Sequence, residues 1–320
     1  MNDITELKAF LTHLHEKYRN HHEGAVATYI PALAAANPDY FGISIASVDG
    51  QQFSVGDCDQ EFTIQSICKP LAFLMALERT GREHVLRHVG VEPSGEAFNS
   101  VELTAHNGRP FNPMVNAGAI AMAGLIKQEP LEAGVAAFVA RLGDAAGRTL
   151  KIDDIVRASE SSTGNRNRAI AYLLRNFEII DERVEDTLQH YFAQCSVLVN
   201  TRDLAMIGAT LANMGENPVT QKDVFDLRYI KDALSVMFTC GMYDFAGEWA
   251  YRVGVPAKSG VSGGVLAVIN RQLGVAVYSP RLDANGNSAR GIKVCIDLAE
   301  EFGLHAFDVM NFGSNFLRAL

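Results

Sequence analysis

The chain has 320 residues, of which 48% are hydrophobic and 20% charged, a composition typical of a globular protein with a substantial core and not of a disordered chain. It carries 28 basic and 37 acidic residues, which gives a net charge of −9 at pH 7. This balance, with no dense run of basic residues, argues against a nucleic-acid groove, and no nucleic-acid partner is predicted.

The N-terminal residues, the longest apolar run and the cysteines indicate the cellular compartment of the protein. The first residues show no cationic start followed by an apolar core, so no signal peptide is expected. The apolar run Gly118–Leu125 ends at Lys127, which is too short to cross a bilayer, and no membrane partner is predicted. The five cysteines are scattered without zinc-type spacing. His21 and His22 are adjacent, and because adjacent positions on a helix point apart, a solvated surface pair is favoured over a metal-binding pair. We therefore expect reduced thiols in the cytoplasm, no metal and no cofactor.

The first elements are a helix and a hairpin. Residues 3–20 place apolar side chains at helical spacing, which predicts an amphipathic helix. Tyr40–Val48 and Gln52–Val55 are apolar and β-branched, which is typical of strands. The dipeptide Asp49-Gly50 between them favours a type I′ turn, so the two strands are expected to form a hairpin.

The middle of the chain, roughly residues 66–245, shows helical periodicity and almost no strand signal. Turn signals such as Gly108-Arg-Pro and Gly215-Glu-Asn-Pro separate some of its segments. The predicted helices are Ser66–Arg79, Val115–Lys127, Leu131–Leu142, Arg166–Asn176, Asp181–Cys195 and Thr201–Met214.

The last elements return to strands and a helix. Gly264–Asn270 and Leu273–Ser279 are apolar runs joined by a short polar link, which predicts a second hairpin, and Ala289–Phe302 reads as a closing helix. The simplest architecture is an α+β fold in which an antiparallel sheet from both chain ends is flanked by helices, with an all-helical region inserted.

These elements predict one catalytic domain, 1–320, with two subdomains. An α/β subdomain is expected from about residues 1–65 and 246–320, and a helical subdomain from about residues 66–245. A functional site is expected where the two meet.

Ser66 and Lys69 form the first candidate catalytic pair. They are three residues apart, so their side chains share a helix face, and Pro70 places the helix start close to Ser66. A serine there lies in the positive field of the helix N-terminus, and a partly buried lysine loses proton affinity and can accept the serine proton. On this spacing alone, a capping serine and a solvated lysine are the favoured interpretation.

The segment Ala257-Lys258-Ser259-Gly260-Val261 precedes an apolar strand and supports that pair. It resembles the Lys-Ser/Thr-Gly strand of penicillin-recognising serine enzymes, which lends a backbone N–H to an oxyanion hole while glycine allows close approach to the substrate. Alone, it is compatible with an ordinary turn. Combined with Ser-x-x-Lys at a strand-to-helix junction, it indicates serine acyl transfer.

Over essentially its whole length the chain resembles the bacterial and mitochondrial glutaminase family, a branch of the β-lactamase/transpeptidase-like fold. The matching blocks are long and ordered: Tyr29-Ile-Pro-x-Leu33, Gln65-Ser66-x-x-Lys69-Pro, Gly108-Arg-Pro-x-Asn-Pro-Met-Val-Asn116-Ala-Gly-Ala, Ser159-Glu160, Gly164-Asn-Arg-Asn167-Arg, Tyr191 before Gln194-Cys-Ser, Gly241-Met-Tyr243-Asp and Pro256-Ala-Lys-Ser-Gly-Val261-Ser-Gly-Gly.

The resemblance implies an amidohydrolase that converts the side-chain amide of L-glutamine to L-glutamate and ammonia, in glutamine metabolism and glutamate biosynthesis. In the catalytic set that it implies, Ser66 is the nucleophile and Lys69 its base. Tyr243 relays protons near the nucleophile and the leaving ammonia. The backbone N–H groups of Ser66 and Val261 form the oxyanion hole. The resemblance also implies a homo-oligomer, either a homotetramer or a homodimer.

The resemblance further implies a binding set for the amino-acid end of glutamine. Glu160 binds the α-ammonium, Asn116, Asn167 and Tyr191 hold chiefly the carboxylate, and Tyr29 lines the pocket beside the nucleophile. One anion with neutral donors suits a zwitterionic substrate.

Each of these residue types also has an ordinary structural explanation. Glu160 is compatible with a carboxylate at a helix start that interacts favourably with the helix macrodipole. Asn116 and Asn167 are compatible with turn or cap residues. The tyrosines are compatible with amphipathic core positions. Cys68, between nucleophile and base, is expected to point away from both as a buried structural thiol.

Two other functions compete with glutamine hydrolysis. A serine β-lactamase or penicillin-binding protein is disfavoured by the missing export signal, by the absence of a clear Ser-x-Asn element and by the acidic Glu160. A glutamine-sensing module without catalysis is disfavoured because a sensor needs no nucleophile-and-base pair. Asparagine turnover stays open, because one methylene discriminates only modestly unless polar contacts are lost with it.

Overall fold

The computed structural model describes residues 4–95, 100–101, 103–104 and 107–308. In chain order the strands are β1 (Gly42–Ser47), β2 (Gln52–Gly56), β3 (Phe62–Thr63), β4 (Lys151–Ile152), β5 (Val197–Val199), β6 (Ala257–Ser259), β7 (Gly264–Ile269) and β8 (Leu273–Tyr278). The helices are α1 (Ile4–Tyr18), α2 (Lys69–Thr80), α3 (Arg82–His88), α4 (Asn116–Ile126), α5 (Leu131–Ala146), α6 (Asp154–Thr163), α7 (Asn165–Asn176), α8 (Val184–Cys195), α9 (Thr201–Ala212), α10 (Leu227–Cys240), α11 (Ala246–Arg252) and α12 (Ala289–Phe302). Short 3₁₀ turns cover Pro31–Ala35, Gln65–Cys68 and Tyr243–Phe245.

The main sheet has five antiparallel strands in the order β2-β1-β8-β7-β6, and the two chain ends meet in it. β1 and β2 form the predicted hairpin, with Gly50 at φ +87° in the turn, where glycine carries no steric cost. β7 and β8 form the second predicted hairpin, and β1 pairs with β8 from Gly42↔Tyr278 to Ser47↔Leu273. The predicted α+β class and the sheet built from both ends are confirmed.

Each face of the main sheet is covered by its own hydrophobic core, because side chains alternate along a strand. On β7, Val265 and Ala267 join a core with α1, α11 and α12 that contains Trp249. The intervening Leu266 and Val268 join the larger core with the helices of the inserted region. β7 and β8 are therefore buried along their whole length, which explains their continuous apolar sequence.

The inserted region contains two short strands in addition to helices. β4 and β5 lie within it and pair with β3 in a three-stranded sheet of order β3-β5-β4. Contrary to the prediction, the inserted region is therefore not all-helical, because it also contains β4 and β5. The strands are two or three residues long, so alternation cannot show them in the sequence.

Four helices, α3, α6, α10 and α11, lie outside the predicted set. The apolar pattern of α6 is weak, because Val156 and Glu160 are its only buried residues. Asp153 caps it by accepting hydrogen bonds from the backbone N–H groups of Ile155 and Val156. α10, in contrast, has a clear stripe of buried apolar residues, so its sequence is sufficient to predict it.

In the described part of the chain, no helix is long and apolar enough to cross a membrane.

Candidate active site

The turn that carries Ser66 lies between the main sheet and the inserted helices. Ser66 belongs to the 3₁₀ turn Gln65–Cys68, and α2 begins three residues later at Lys69, with Pro70 in its first turn. The α-helix thus begins slightly after the predicted start. Gln65, directly before Ser66, has φ 49°, an uncommon left-handed conformation for a residue with a side chain.

Ser66 contacts Tyr243 directly. Ser66 is 6% exposed, and its hydroxyl hydrogen-bonds to the Tyr243 side chain, whose own hydroxyl donates to the carbonyl oxygen of Ser259 at 2.9 Å. Tyr243 also has a left-handed backbone, with φ 57°. Burial raises the pKa of its phenol, so Tyr243 stays protonated at neutral pH and can donate or relay a proton.

Lys69 is almost completely buried, at 1% exposed. Its Nζ donates to Asn116 Oδ1 at 2.7 Å, and Asn116 Nδ2 donates to Asn167 Oδ1 at 3.0 Å. Desolvation lowers the pKa of Lys69 to about 8, although the acidic groups around it, including Glu160, act in the opposite direction. A lysine in this state can release and accept a proton near neutral pH.

Glu160 reaches the same pocket from α6. It is 6% exposed, and its Oε2 is buried without a hydrogen-bond partner. Desolvation raises its pKa to about 8, while the charge of Lys69 and a hydrogen bond with Gln65 act to lower it. An unpartnered buried carboxylate oxygen is costly, so its position favours a ligand that brings a cation or a donor.

Tyr191 and Tyr29 complete the pocket. Tyr191 on α8 is 2% exposed, and the pKa of its phenol is raised first by desolvation and also by the nearby Cys195 and Glu160. Tyr29 is half-exposed, but its phenol pKa is likewise raised by desolvation and by the charges of Tyr243 and Glu160. Tyr29 thus lies within electrostatic reach of Tyr243 and Glu160 while about half of the residue is exposed to solvent.

β6 ends at Ser259, and the next residue, Gly260, packs directly on the turn that carries Ser66. A Cβ added at Gly260 would lie 3.0 Å from the carbonyl oxygen of Ile64 and 3.3 Å from Ile67 Cγ1, so a side chain there would push the two segments apart. Gly260 thus lies against residues on both sides of Ser66 in the chain, and Val261 follows it directly. Among the nine predicted site residues, the hydrogen bonds described above link Ser66 to Tyr243, Lys69 to Asn116, and Asn116 to Asn167.

Two further residues take part in this arrangement. Gln65 hydrogen-bonds to Glu160 and donates to Thr63 Oγ1 at 3.2 Å. Lys258 is fully buried, lies 4.1 Å above the Tyr243 ring, and donates to the carbonyl oxygens of Ser259 at 2.7 Å and Gly241 at 2.9 Å. Both belong to the sequence blocks quoted above, but their partners follow only from the fold.

The cysteines are free and buried. Cys68 is 0% exposed, as predicted, and its thiol hydrogen-bonds to Cys195 behind the pocket. Among the described residues, no group of three or more histidine, cysteine, aspartate or glutamate side chains could hold a metal ion.

Comparison with known proteins identifies the family. The glutaminase family model matches residues 24–307. A glutaminase of Trichormus variabilis is 55% identical over 302 residues, covering 94% of this chain and 90% of the relative. The structure of the probable glutaminase ybaS superposes with a TM-score of 0.92 at 38% identity, covering 95% of this chain and 99% of the other. The probable glutaminase from Bacillus subtilis, complexed with 6-diazo-5-oxo-L-norleucine, gives 0.87 at 35% identity, covering 96% and 98%. The predicted family and fold are confirmed, and the chain belongs to the glutaminase family.

Proposed function

We propose that this glutaminase hydrolyses the side-chain amide of L-glutamine through an acyl-enzyme on Ser66. The observation that carries the proposal is a set of buried side chains around Ser66. It holds Ser66 hydrogen-bonded to Tyr243, Lys69 with a lowered pKa, and Glu160 with an unpartnered carboxylate oxygen. Nucleophile, base and cation site are the groups that amide hydrolysis of an amino acid requires.

Glu160 is proposed to bind the α-ammonium of glutamine. Its orphaned Oε2 then gains a charge-assisted hydrogen bond, and the incoming cation favours the ionised carboxylate. Asn116, Asn167 and Tyr191 supply neutral polar groups for the α-carboxylate, and Tyr29 covers the pocket. The ligand of the Bacillus subtilis relative is 6-diazo-5-oxo-L-norleucine. Like glutamine, this molecule has an α-ammonium, an α-carboxylate and a carbonyl group at C5.

In the first half-reaction, Ser66 Oγ attacks the side-chain carbonyl carbon while Lys69 accepts the hydroxyl proton. The N–H groups of Ser66 and Val261 stabilise the oxyanion. The intermediate then expels the amide nitrogen, which takes a proton through Tyr243 and leaves as ammonia. Lys69 and not Tyr243 is assigned as the base, because burial lowers the pKa of the lysine and raises that of the phenol.

In the second half-reaction, water adds to the Ser66 ester and passes a proton to Lys69. The C–O bond to Ser66 breaks, Ser66 regains a proton, and glutamate leaves. The balance is glutamine plus water to glutamate plus ammonia, so the reaction needs no further reactant.

Replacing Ser66 with alanine tests the proposal. Ser66→Ala is expected to abolish ammonia release from glutamine and to prevent covalent labelling by 6-diazo-5-oxo-L-norleucine, as followed by intact mass. Ser235→Ala, at an exposed position on α10, serves as the matched control and is expected to keep both. Wild-type ammonia release by Ser66→Ala would contradict the proposal.

We also propose that the enzyme works as a homo-oligomer in the cytoplasm. Five free, buried cysteines fit a reducing compartment, and the family resemblance supports oligomerisation. Light scattering on the purified chain measures the oligomeric state, and a monomer at working concentration would contradict this part.

A further inference from the structure

Arg290, in the first turn of α12, is 0% exposed, yet it donates its hydrogen bonds to backbone carbonyl oxygens and not to carboxylates. Its Nε donates to the carbonyl oxygen of His21 at 2.9 Å, and its Nη1 donates to those of Asp39 at 3.2 Å and Tyr40 at 3.5 Å. The guanidinium also lies 5.3 Å above the ring of Phe41. Desolvation lowers its pKa, which shows that the protein holds this cation in an unfavourable environment.

The three acceptors are the two ends of one segment, residues 21–40. This segment leaves the region of α1 and returns to β1, and Tyr29 lies in its middle. One guanidinium therefore ties both ends of the stretch that carries Tyr29. We call residues 21–40 the Tyr29 segment.

Outside the bonds of Arg290, the Tyr29 segment is held by long hydrogen bonds. Arg281 Nη1 donates to the carbonyl oxygen of Gly24 and its Nη2 to Asp39 Oδ1, each at 3.4 Å, and the Ala32 N–H donates to Ser159 Oγ at 3.3 Å. The regular structure of the segment is one 3₁₀ turn and a single bridge between Ala25 and Leu282. Its apolar support is a small cluster in which Ala27, Ile30 and Leu33 pack against Val156 of α6 and against Val261, a residue of the candidate site. A segment with few buried contacts takes its conformation largely from where its ends are held.

Arginine suits this position for a geometric reason. Its planar fork presents donors in several directions, so one side chain reaches acceptors on both ends of the segment, whereas a lysine ammonium is a compact point charge. Burying a cation that has no direct hydrogen bond to a carboxylate costs stability compared with a packed apolar side chain, and the charges of Asp39 and Asp57 offset only part of the desolvation of Arg290. The bonds of Arg290 therefore serve the placement of the segment more than overall stability.

We propose that Arg290 is a positioning residue that fixes both ends of the Tyr29 segment and so holds the Tyr29 hydroxyl against the substrate pocket. This inference rests on the proposed function, in which Tyr29 lines that pocket. Arg290 itself does not touch the substrate, and it acts on substrate binding through Tyr29.

Steady-state kinetics of Arg290→Met test the inference. This substitution keeps an unbranched side chain but removes every donor. It is expected to raise KM for glutamine by about tenfold while kcat changes by less than about threefold. Arg79→Met is the control, because Arg79 Nη1 likewise donates to two backbone carbonyls, those of Ile126 at 2.8 Å and Lys127 at 2.9 Å, away from the site. Its KM is expected to stay at the wild-type value.

A double-mutant cycle separates positioning from a general structural effect. In a Tyr29→Ala background, Arg290→Met is expected to raise KM by less than about twofold, because the residue through which it acts is gone. Independent, multiplying effects on KM would overturn the inference.

Arg290→Lys keeps the test decisive if Arg290→Met does not fold. It retains the charge and the stem, so it is expected to keep the wild-type thermal midpoint and still raise KM, and a wild-type KM would overturn the inference. Failure of the proposed function gives a different result, namely ammonia release by Ser66→Ala. If only the inference fails, turnover remains dependent on Ser66.

Discussion

Lys69 and Glu160 are two buried groups whose pKa values move toward each other. Desolvation lowers the pKa of the lysine to about 8 and raises that of the carboxyl to about 8. In our proposal both must be deprotonated before glutamine can react, the lysine to accept the Ser66 proton and the carboxylate to bind the ammonium. The free enzyme should therefore lose activity as pH falls below about 8.

The pH profile of kcat/KM reports these free-enzyme groups. For the wild type, we expect kcat/KM to fall by more than about tenfold per pH unit below pH 7, because two coupled groups take up protons. Glu160→Gln removes one of them and should leave a slope of about tenfold per unit. Initial rates across about pH 5.5–9.5 measure both slopes. A flat wild-type profile below pH 7 would contradict Lys69 as the base.

Glu160→Gln should also weaken glutamine binding. The substituted amide keeps the shape of the side chain but loses the charge that faces the α-ammonium, so KM is expected to rise by about 10- to 100-fold. Glu16→Gln, at an exposed position on α1, is the matched control and should leave KM unchanged. An unchanged KM in Glu160→Gln would place the ammonium elsewhere.

The same substitution should stabilise the fold. The pKa of Glu160 is raised from 4.5 to about 8 in the folded state, so protonation of this carboxyl favours the folded chain. The stability that comes from protonation is lost as pH rises from 4.5 to about 8. At pH 7 we expect Glu160→Gln to increase the free energy of unfolding by about 1–3 kcal/mol. Urea unfolding at pH 5 and pH 7.5 measures the difference, which should be larger at the higher pH. A gain that is the same at both would point to packing instead of charge.

At the scale of elements, α9 lies unusually close to the main sheet. A Cβ added at Gly274 on β8 would lie 2.3 Å from the carbonyl oxygen of Ala205 and 2.5 Å from the amide nitrogen of Ala209. A Cβ added at Gly208 would lie 2.8 Å from Gly274 Cα. Backbone meets backbone here, so neither side can yield by changing a rotamer.

Gly274→Ala should therefore destabilise the protein by about 1–3 kcal/mol, as overpacking does. Gly247→Ala, in α11, is the control, because its added Cβ meets nothing within 4 Å. The control should be neutral or slightly stabilising, since alanine favours the helix. Thermal midpoints of the two variants give the comparison, and equal midpoints would show that α9 can move away from β8 at little cost.

For the whole molecule, we propose the division into an α/β subdomain of about residues 1–65 and 246–320 and a helical subdomain of about residues 66–245. The two hydrophobic cores lie on opposite faces of one sheet, so strands β7 and β8 belong to both. Because the cores share these strands, we expect neither subdomain to remain folded without the other.

The single tryptophan makes this expectation testable. Trp249 is fully buried in the core with α1 and α12, and its indole N–H donates to the carbonyl oxygen of Val255 at 2.8 Å. Tryptophan fluorescence should therefore report the α/β side, while activity depends on the Ser66 turn. In a urea titration at fixed protein concentration, both should change at the same midpoint. Loss of activity well before the fluorescence change would show that the helical part unfolds independently.

The sequence by itself determined the two hairpins, the α+β class and the family, and the site residues that it indicates stay a prediction. Periodicity is local information, so long periodic segments such as Ala289–Phe302 are predicted with their observed ends. Short strands and the polar helix α6 lack such a pattern, because their positions come from pairing and capping with distant segments.

Only the tertiary structure shows the surroundings of the candidate site residues. Ser66 and Lys69 form a weak motif when read alone, and the fold shows that Lys69 is buried, that Ser66 bonds to Tyr243 and that Glu160 keeps an unpartnered oxygen. Desolvation sets the pKa of each charged group, and it depends on which segments surround that group. The tertiary structure also brings Arg290 to its acceptors, which lie about 250 to 270 residues away in the chain. Bonds over such separations leave no periodic signal in a sequence, since they arise only when the folded chain brings its ends together.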